Sequence, residues 1–229
     1  MPRIILIETS TSLCSTALIE GEEIVSRRES TDLRAQAALT APFVKEMLDE
    51  RSLKVKDCDA VCVSCGPGSY TGLRVGVSTA KGLCFGAGIP LIAVSTLDLL
   101  AFQAVSKGLP EGCRTIIPMI DARRMEVYAA VYSPEGVRES EIEPRIIDAG
   151  SFADRLAEGP CVFIGDGAAK SAEAIGSPSV TAFQECPVAD SMLIPALRAF
   201  KEKRFENTAY FEPFYLKNYV AKISGNKIF

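Results

Sequence analysis

Residues 64–88 read SCGPGSYTGLRVGVSTAKGLCFGAG, a strand-to-helix transition with glycines at 66, 68, 72, 76, 82, 86 and 88. Backbone N–H groups at such a helix start form an anion site, so phosphate is the first ligand to weigh. The spacing is G-x-G-x-x-x-G rather than the dinucleotide G-x-G-x-x-G. No G-x-x-x-x-G-K-[ST] occurs, and Pro67 removes one donor. Ser78-Thr79-Ala80-Lys81 satisfies the S-x-x-K of penicillin-binding enzymes, but no K-T-G follows. Cys62 and Cys65 form a C-x-x-C without a second pair at zinc spacing. Cys62 lies in an apolar run, where a buried thiol is expected.

Glu8 and Asp121 each end an apolar strand pattern, and Gly165-Asp166-Gly167 follows another. In ATP-using proteins of two-lobed α/β architecture, carboxylates at such strand ends help hold magnesium near phosphates. A carboxylate there serves equally as a turn cap. These three features keep open an alternative: a nucleotide-binding kinase- or carbamoyltransferase-like enzyme.

The chain contains no histidine. That removes His-based metal pairs, Ser–His and Cys–His nucleophiles, and imidazole general acid–base work. Its net charge of −4 argues against a protein that grips nucleic acid alone. With 48% hydrophobic and 24% charged residues it can bury a sizeable core. No apolar run is long enough to span a bilayer. The opening MPRIILIETSTS lacks the pattern of a signal peptide, and the cysteines sit mostly in apolar runs. A cytoplasmic protein with reduced thiols is the expectation.

The elements that must position these residues repeat. Strands at 3–7 and 15–19 flank a polar turn, and a third strand follows Glu20-Gly21-Glu22. A helix over 33–50 carries Leu39, Phe43 and Met47 at i, i+4, i+8, with a kink or late start expected at Pro42. A strand at 59–65, the glycine-rich helix, a strand at 90–94 and a helix at 97–106 follow. The second half gives strands at 115–120 and 127–132 around ARRME, then a strand, glycine turn and helix across 161–175. A helix at 188–203 and an aromatic tail come last. Tyr210, Phe211, Phe214, Tyr215 and Tyr219 are expected to pack a lobe, with Lys217 and Lys222 solvated. The fold class read from this order is α/β, two tandem ribonuclease H-like lobes of the actin, Hsp70 and sugar-kinase type. The division falls at 1–104 and 105–229.

Glycine inside a helix is about 1 kcal/mol worse than alanine, so the glycines of 72–88 need a reason. Gly72, Gly76 and Ala80 form a small-residue stripe at i, i+4, i+8, with Leu73 and Val77 beside it. Small stripes let another backbone approach closely. The neighbour is either this lobe's own sheet or another subunit.

GPGSYTGLRVGVSTAKGL resembles the GPGSFTGLRIG-A-AKGL signature of the TsaB (YeaZ) family, and ETSTSLCSTAL is similar to its opening. IPLIAVSTLDLLA, IDARRMEVYAAVY and FEPFYLKNYVA match further family stretches in the same order. The resemblance implies a non-catalytic subunit, without catalytic, cofactor or metal residues of its own. Such a subunit docks and stabilises the catalytic paralogue TsaD and works with the ATPase TsaE. The complex, not this chain, is expected to use ATP and a metal. It modifies the adenosine following the anticodon to N6-threonylcarbamoyladenosine, and this chain meets tRNA through the complex only. The implied partner surface comprises Leu39, Phe43 and Met47 on the first helix. On the second it comprises Tyr70, Gly72, Leu73, Gly76, Val77 and Ala80. Alone, the chain can self-associate through much the same surface. Family members often carry Asp where this chain has Glu8, and a His before the first helix, where it reads STDLRAQ. A peptidase reading does not survive without histidine.

Overall fold

The computed structural model describes residues 1–32 and 35–216. Two five-stranded sheets organise the chain. The first holds β1 (Arg3–Glu8), β2 (Cys14–Glu20), β3 (Glu23–Ser30), β4 (Ala60–Gly66) and β5 (Leu91–Ser95), in the order β3-β2-β1-β4-β5. The second holds β6 (Thr115–Asp121), β7 (Glu126–Ala129), β8 (Glu143–Ile146), β9 (Cys161–Ile164) and β10 (Val180–Phe183), in the order β10-β9-β6-β7-β8. In each, three antiparallel meander strands are extended past the first strand by two parallel ones. One topology is written twice, giving the two ribonuclease H-like lobes read from the sequence.

The helices are α1 (Ala35–Glu50), α2 (Tyr70–Ala87), α3 (Thr96–Lys107), α4 (Ala153–Glu158), α5 (Ala168–Ile175) and α6 (Leu193–Lys201). β1 and β4 are buried along nearly their whole length because helices cover both faces of the first sheet. On one face Ile5, Ile7, Val61 and Val63 pack against Val44 and Met47 of α1 and Val77 and Ala80 of α2. On the other, Ile4, Leu6, Cys62 and Ile92 meet Leu99 of α3 together with Ala189, Met192, Ala196 and Ala199. The last four belong to α6 and the 3₁₀ turn before it. Meanwhile Leu97, Leu100, Ala101 and Ala104 of α3 pack on Ile116, Ile120, Val162 and Ile164 of the second sheet. α3 serves both sheets, and α6 completes the core of the first.

Local chemistry sets the helix ends. The Ser69 hydroxyl accepts the Gly72 N–H at 3.2 Å to start α2, and Gly88, with φ of 69°, ends it. Ser95 caps α3 by accepting the Leu97 N–H at 3.3 Å. Pro42 does not delay α1, which runs through it from Ala35. Its side chain is solvent-exposed, so the carbonyl left unpaired one turn earlier can face water. The helix expected over 188–203 is a 3₁₀ turn at Ala189–Met192 followed by the shorter α6. The strand expected over 127–132 ends as β7 at Ala129; Tyr132 pairs separately with Ile116 and Arg138. β8, α4 and β10 were not anticipated.

Beyond α6 the chain returns along the first lobe. The Glu206 N–H donates to the Leu91 carbonyl at 2.8 Å, and the Phe214 N–H to that of Cys65 at 2.7 Å. Phe211 packs against the first core, and the Tyr215 ring lies 5.0 Å from that of Tyr70. Tyr210 instead stands exposed. Lys217, Tyr219 and Lys222 lie outside the described residues.

Candidate functional site

The glycine-rich turn after β4 is filled by the chain itself. A Cβ on Gly68 would collide with the Ser10 carbonyl, one on Gly72 with the Thr9 carbonyl, and one on Gly76 with the Thr9 hydroxyl. That hydroxyl donates to the Gly72 carbonyl at 2.8 Å, and the Ser69 N–H donates to the Ser10 carbonyl at 2.6 Å. The β1–β2 turn occupies the ground a phosphate would need, so the glycines serve close packing within the lobe. The second lobe repeats the device. A Cβ on Gly165, where φ is 125°, would strike the Met119 carbonyl, and one on Gly167 would lie 2.8 Å from Val127 Cγ1.

The carboxylates of the nucleotide alternative are likewise engaged. Lys170 Nζ donates to Asp121 Oδ1 at 2.6 Å and to the carbonyls of Arg124 and Glu126, each at 2.8 Å. The Asp121 N–H in turn donates to Asp166 Oδ1 at 2.7 Å. Glu8 is fully buried, accepting the Ser10 N–H on Oε1 at 2.5 Å, while Oε2 has no partner. Burial pushes its pKa up to about 7, against the lowering effect of the Ser10 N–H that it accepts. The Ser10, Thr11, Ser64 and Thr96 hydroxyls are also buried and unpartnered. One carboxyl amid hydroxyls suits ordered water better than magnesium, which wants octahedral oxygen ligands with more charge. Among the described residues no group of three His, Cys, Asp or Glu could hold a metal ion.

The remaining sequence candidates are structural. Lys81 Nζ donates to the carbonyls of Phe211 at 2.9 Å and Ala209 at 3.2 Å, pinning the returning tail rather than activating Ser78. Cys62 is buried in β4 with its thiol pushed up by desolvation, and burial pushes Cys65 up to about 12. Such thiols are poor nucleophiles and poor metal ligands.

Most of the residues expected at a partner surface lie inside the fold of this chain. Met47, Gly72, Leu73, Gly76, Val77 and Ala80 are buried inside their own lobe, and Leu39, Phe43 and Tyr70 are half-buried. The inward stripe is the one the sequence singled out. A second stripe of small residues, Ser78, Gly82 and Gly86, runs along the outward side of α2 at the same spacing. A Cβ at Gly82 or Gly86 would meet nothing within 4 Å, and Phe85 beside them is 87% exposed. On α1, Ala37, Ala38, Ala41 and Pro42 are exposed. The signal for this face was Phe85, a large apolar residue set among glycines.

A family model described as TsaD: tRNA N6-adenosine threonylcarbamoyltransferase matches residues 31–224. The tRNA threonylcarbamoyladenosine biosynthesis protein TsaB of Escherichia coli (strain K12) is 31% identical over 235 residues, spanning 98% of this chain and 100% of that protein. The chain belongs to the TsaB family. The TsaB of Bacillus subtilis (strain 168) is 30% identical over 166 residues, 71% of this chain and 70% of that protein. YeaZ from Pseudomonas aeruginosa has the same fold, with a TM-score of 0.82 at 26% identity over 94% of this chain and 100% of that one. TsaB proteins carry tRNA threonylcarbamoyladenosine biosynthesis in their name. In this TsaB-family chain, no helix of the described residues is long and apolar enough to cross a membrane.

Proposed function

We propose that this chain is a non-catalytic docking subunit of the tRNA threonylcarbamoyladenosine synthase. It binds and stabilises TsaD, and TsaE joins the same assembly. The complex supplies ATP, metal and the transfer of threonylcarbamoyl to the adenosine following the anticodon, and this chain brings no cofactor. The observation that carries the reading is the contrast between the two sides of α2. Inward, the glycines are consumed by packing against Thr9 and Ser10. Outward, small residues and an exposed Phe85 leave open ground of the kind a second helix pair can approach closely. Against a nucleotide-using enzyme stand the Lys170–Asp121 pair and the filled glycine turns. Isolated chains can use the same outward face to self-associate.

Co-purification with TsaD tests this. Gly82→Leu and Phe85→Glu alter only the outward face, so both should fold and both should lose the heterodimer. Pairing that survives both substitutions removes α2 from the interface.

A further inference from the structure

Among the described residues, every arginine except Arg114, Arg123 and Arg124 is ion-paired with a carboxylate or stacked over an aromatic ring. Arg114 stands alone, its stem against Gly159. Arg123 and Arg124 are adjacent and exposed in the turn between β6 and β7. Both have left-handed backbone, with φ of 73° and 53°. That conformation is unfavourable for a non-glycine residue, and turns needing it favour Gly, Asn or Asp. Such strain persists where the surroundings impose it, and it gathers at ligand-binding segments.

Here the surroundings are explicit. Asp121 Oδ1 accepts the Arg123 N–H at 2.7 Å, and Lys170 Nζ holds the Arg124 and Glu126 carbonyls. The Ala122 N–H donates to the Glu126 carbonyl at 3.1 Å, closing the turn. Every bond goes to backbone or to Asp121, and none to a guanidinium. Lys170 also neutralises Asp121, which with Glu126 is one of the two carboxylates nearest in sequence to the arginines. The lobe thus commits a lysine and an aspartate to hold two arginines outward, at positions where local preference runs against arginine.

We propose that the Arg123–Arg124 turn is this chain's own contact with the phosphate backbone of RNA. A guanidinium fork matches phosphate oxygens, and adjacent forks suit successive phosphates. Contacts of this kind position a nucleic acid without reading its sequence. They fit a chain of net charge −4 that meets RNA inside an assembly rather than by a broad basic field. The proposal rests on the family's place in tRNA modification.

The test replaces both residues with asparagine (R123N/R124N). Asparagine tolerates left-handed backbone, so the turn keeps its shape while losing its charge. An unchanged or raised unfolding midpoint verifies the fold. Binding of an unmodified tRNA transcript to the chain paired with TsaD is then titrated across KCl concentrations. The variant should bind about three- to tenfold more weakly, and the slope of log K against log salt should fall by about 1.4–1.8. Unchanged affinity and slope overturn the proposal. So does a variant that no longer pairs with TsaD, which would make the turn a protein contact. A third overturning result is millimolar inorganic phosphate raising the midpoint of the unsubstituted chain but not of the variant, with tRNA binding unaffected. If the unsubstituted chain does not pair with TsaD, the docking reading fails by itself. The titration is then run on the chain alone, where a difference between chain and variant supports the turn and an absence of tRNA binding overturns it.

Discussion

The Thr9 hydroxyl donates to the Gly72 carbonyl at 2.8 Å, while the Thr9 carbonyl fills the space where a side chain on Gly72 would stand. The β1–β2 turn and the first turns of α2 are therefore locked by contact at the backbone, not by a ligand between them. Glycines on the two sides of α2 should respond oppositely to substitution. Gly76→Ala drives a methyl into Thr9 and should destabilise the chain by about 1–3 kcal/mol. Gly82→Ala enters open space and should stabilise it by about 1 kcal/mol. Urea unfolding of the two variants checks the signs, and equal shifts would contradict the packing described.

Glu8 makes stability depend on pH. Its folded pKa of about 7 lies above the ordinary 4.5, so the native state holds the proton more tightly. The stabilisation is full below about pH 4.5 and is lost as pH rises towards 7, about 3 kcal/mol in all. Glu8→Gln keeps the shape and removes the titration. Its unfolding free energy should gain on that of the unsubstituted chain steadily across this window, and parallel curves would show that Glu8 is not buried without a counter-charge.

Lys170 holds the turn at 121–126 through three acceptors. Lys170→Met should release it at a cost of about 1–3 kcal/mol. Arg123 and Arg124 then become the first sites cut by limited trypsin digestion. An unchanged cleavage pattern would mean that the strained backbone is fixed by something else.

The eight thiols should not react alike. Cys14, Cys58, Cys62, Cys84 and Cys161 are buried, and burial raises the pKa of each. Cys65 and Cys113 are partly exposed but similarly shifted. Cys186 is partly exposed beside the Ser12 hydroxyl. A disulfide reagent at pH 8 should label Cys186 first, and Cys186→Ser should abolish the fast phase.

Much of this was legible in the sequence because it is local. The duplicated order follows from two copies of strand, polar turn, strand, and two of strand, glycine turn, helix. Ser95 announced α3 by its hydroxyl. β8 was not legible: EPRI is short, mostly exposed and contains a proline, so it shows no alternation. α4 has six residues, too few to display a helical period. Spacing alone leaves the face of α2 open, because 72/76/80 and 78/82/86 are both small-residue stripes at the same spacing. The inward one runs beside Leu73, Val77 and Cys84, which face the sheet, and it meets Thr9, distant in sequence.

The crossing of α6 onto the first sheet has a consequence for biosynthesis. The face formed by Ile4, Leu6, Cys62 and Ile92 needs Ala189, Met192, Ala196 and Ala199 to cover it. Those residues are made long after that face, so a nascent first half must wait with an apolar sheet uncovered, a condition that invites chaperones and slows maturation. The outward face of α2 rests on that same sheet. A partner therefore meets a finished surface only once α6 has been made, and chains cut before α6 are poor competitors for it.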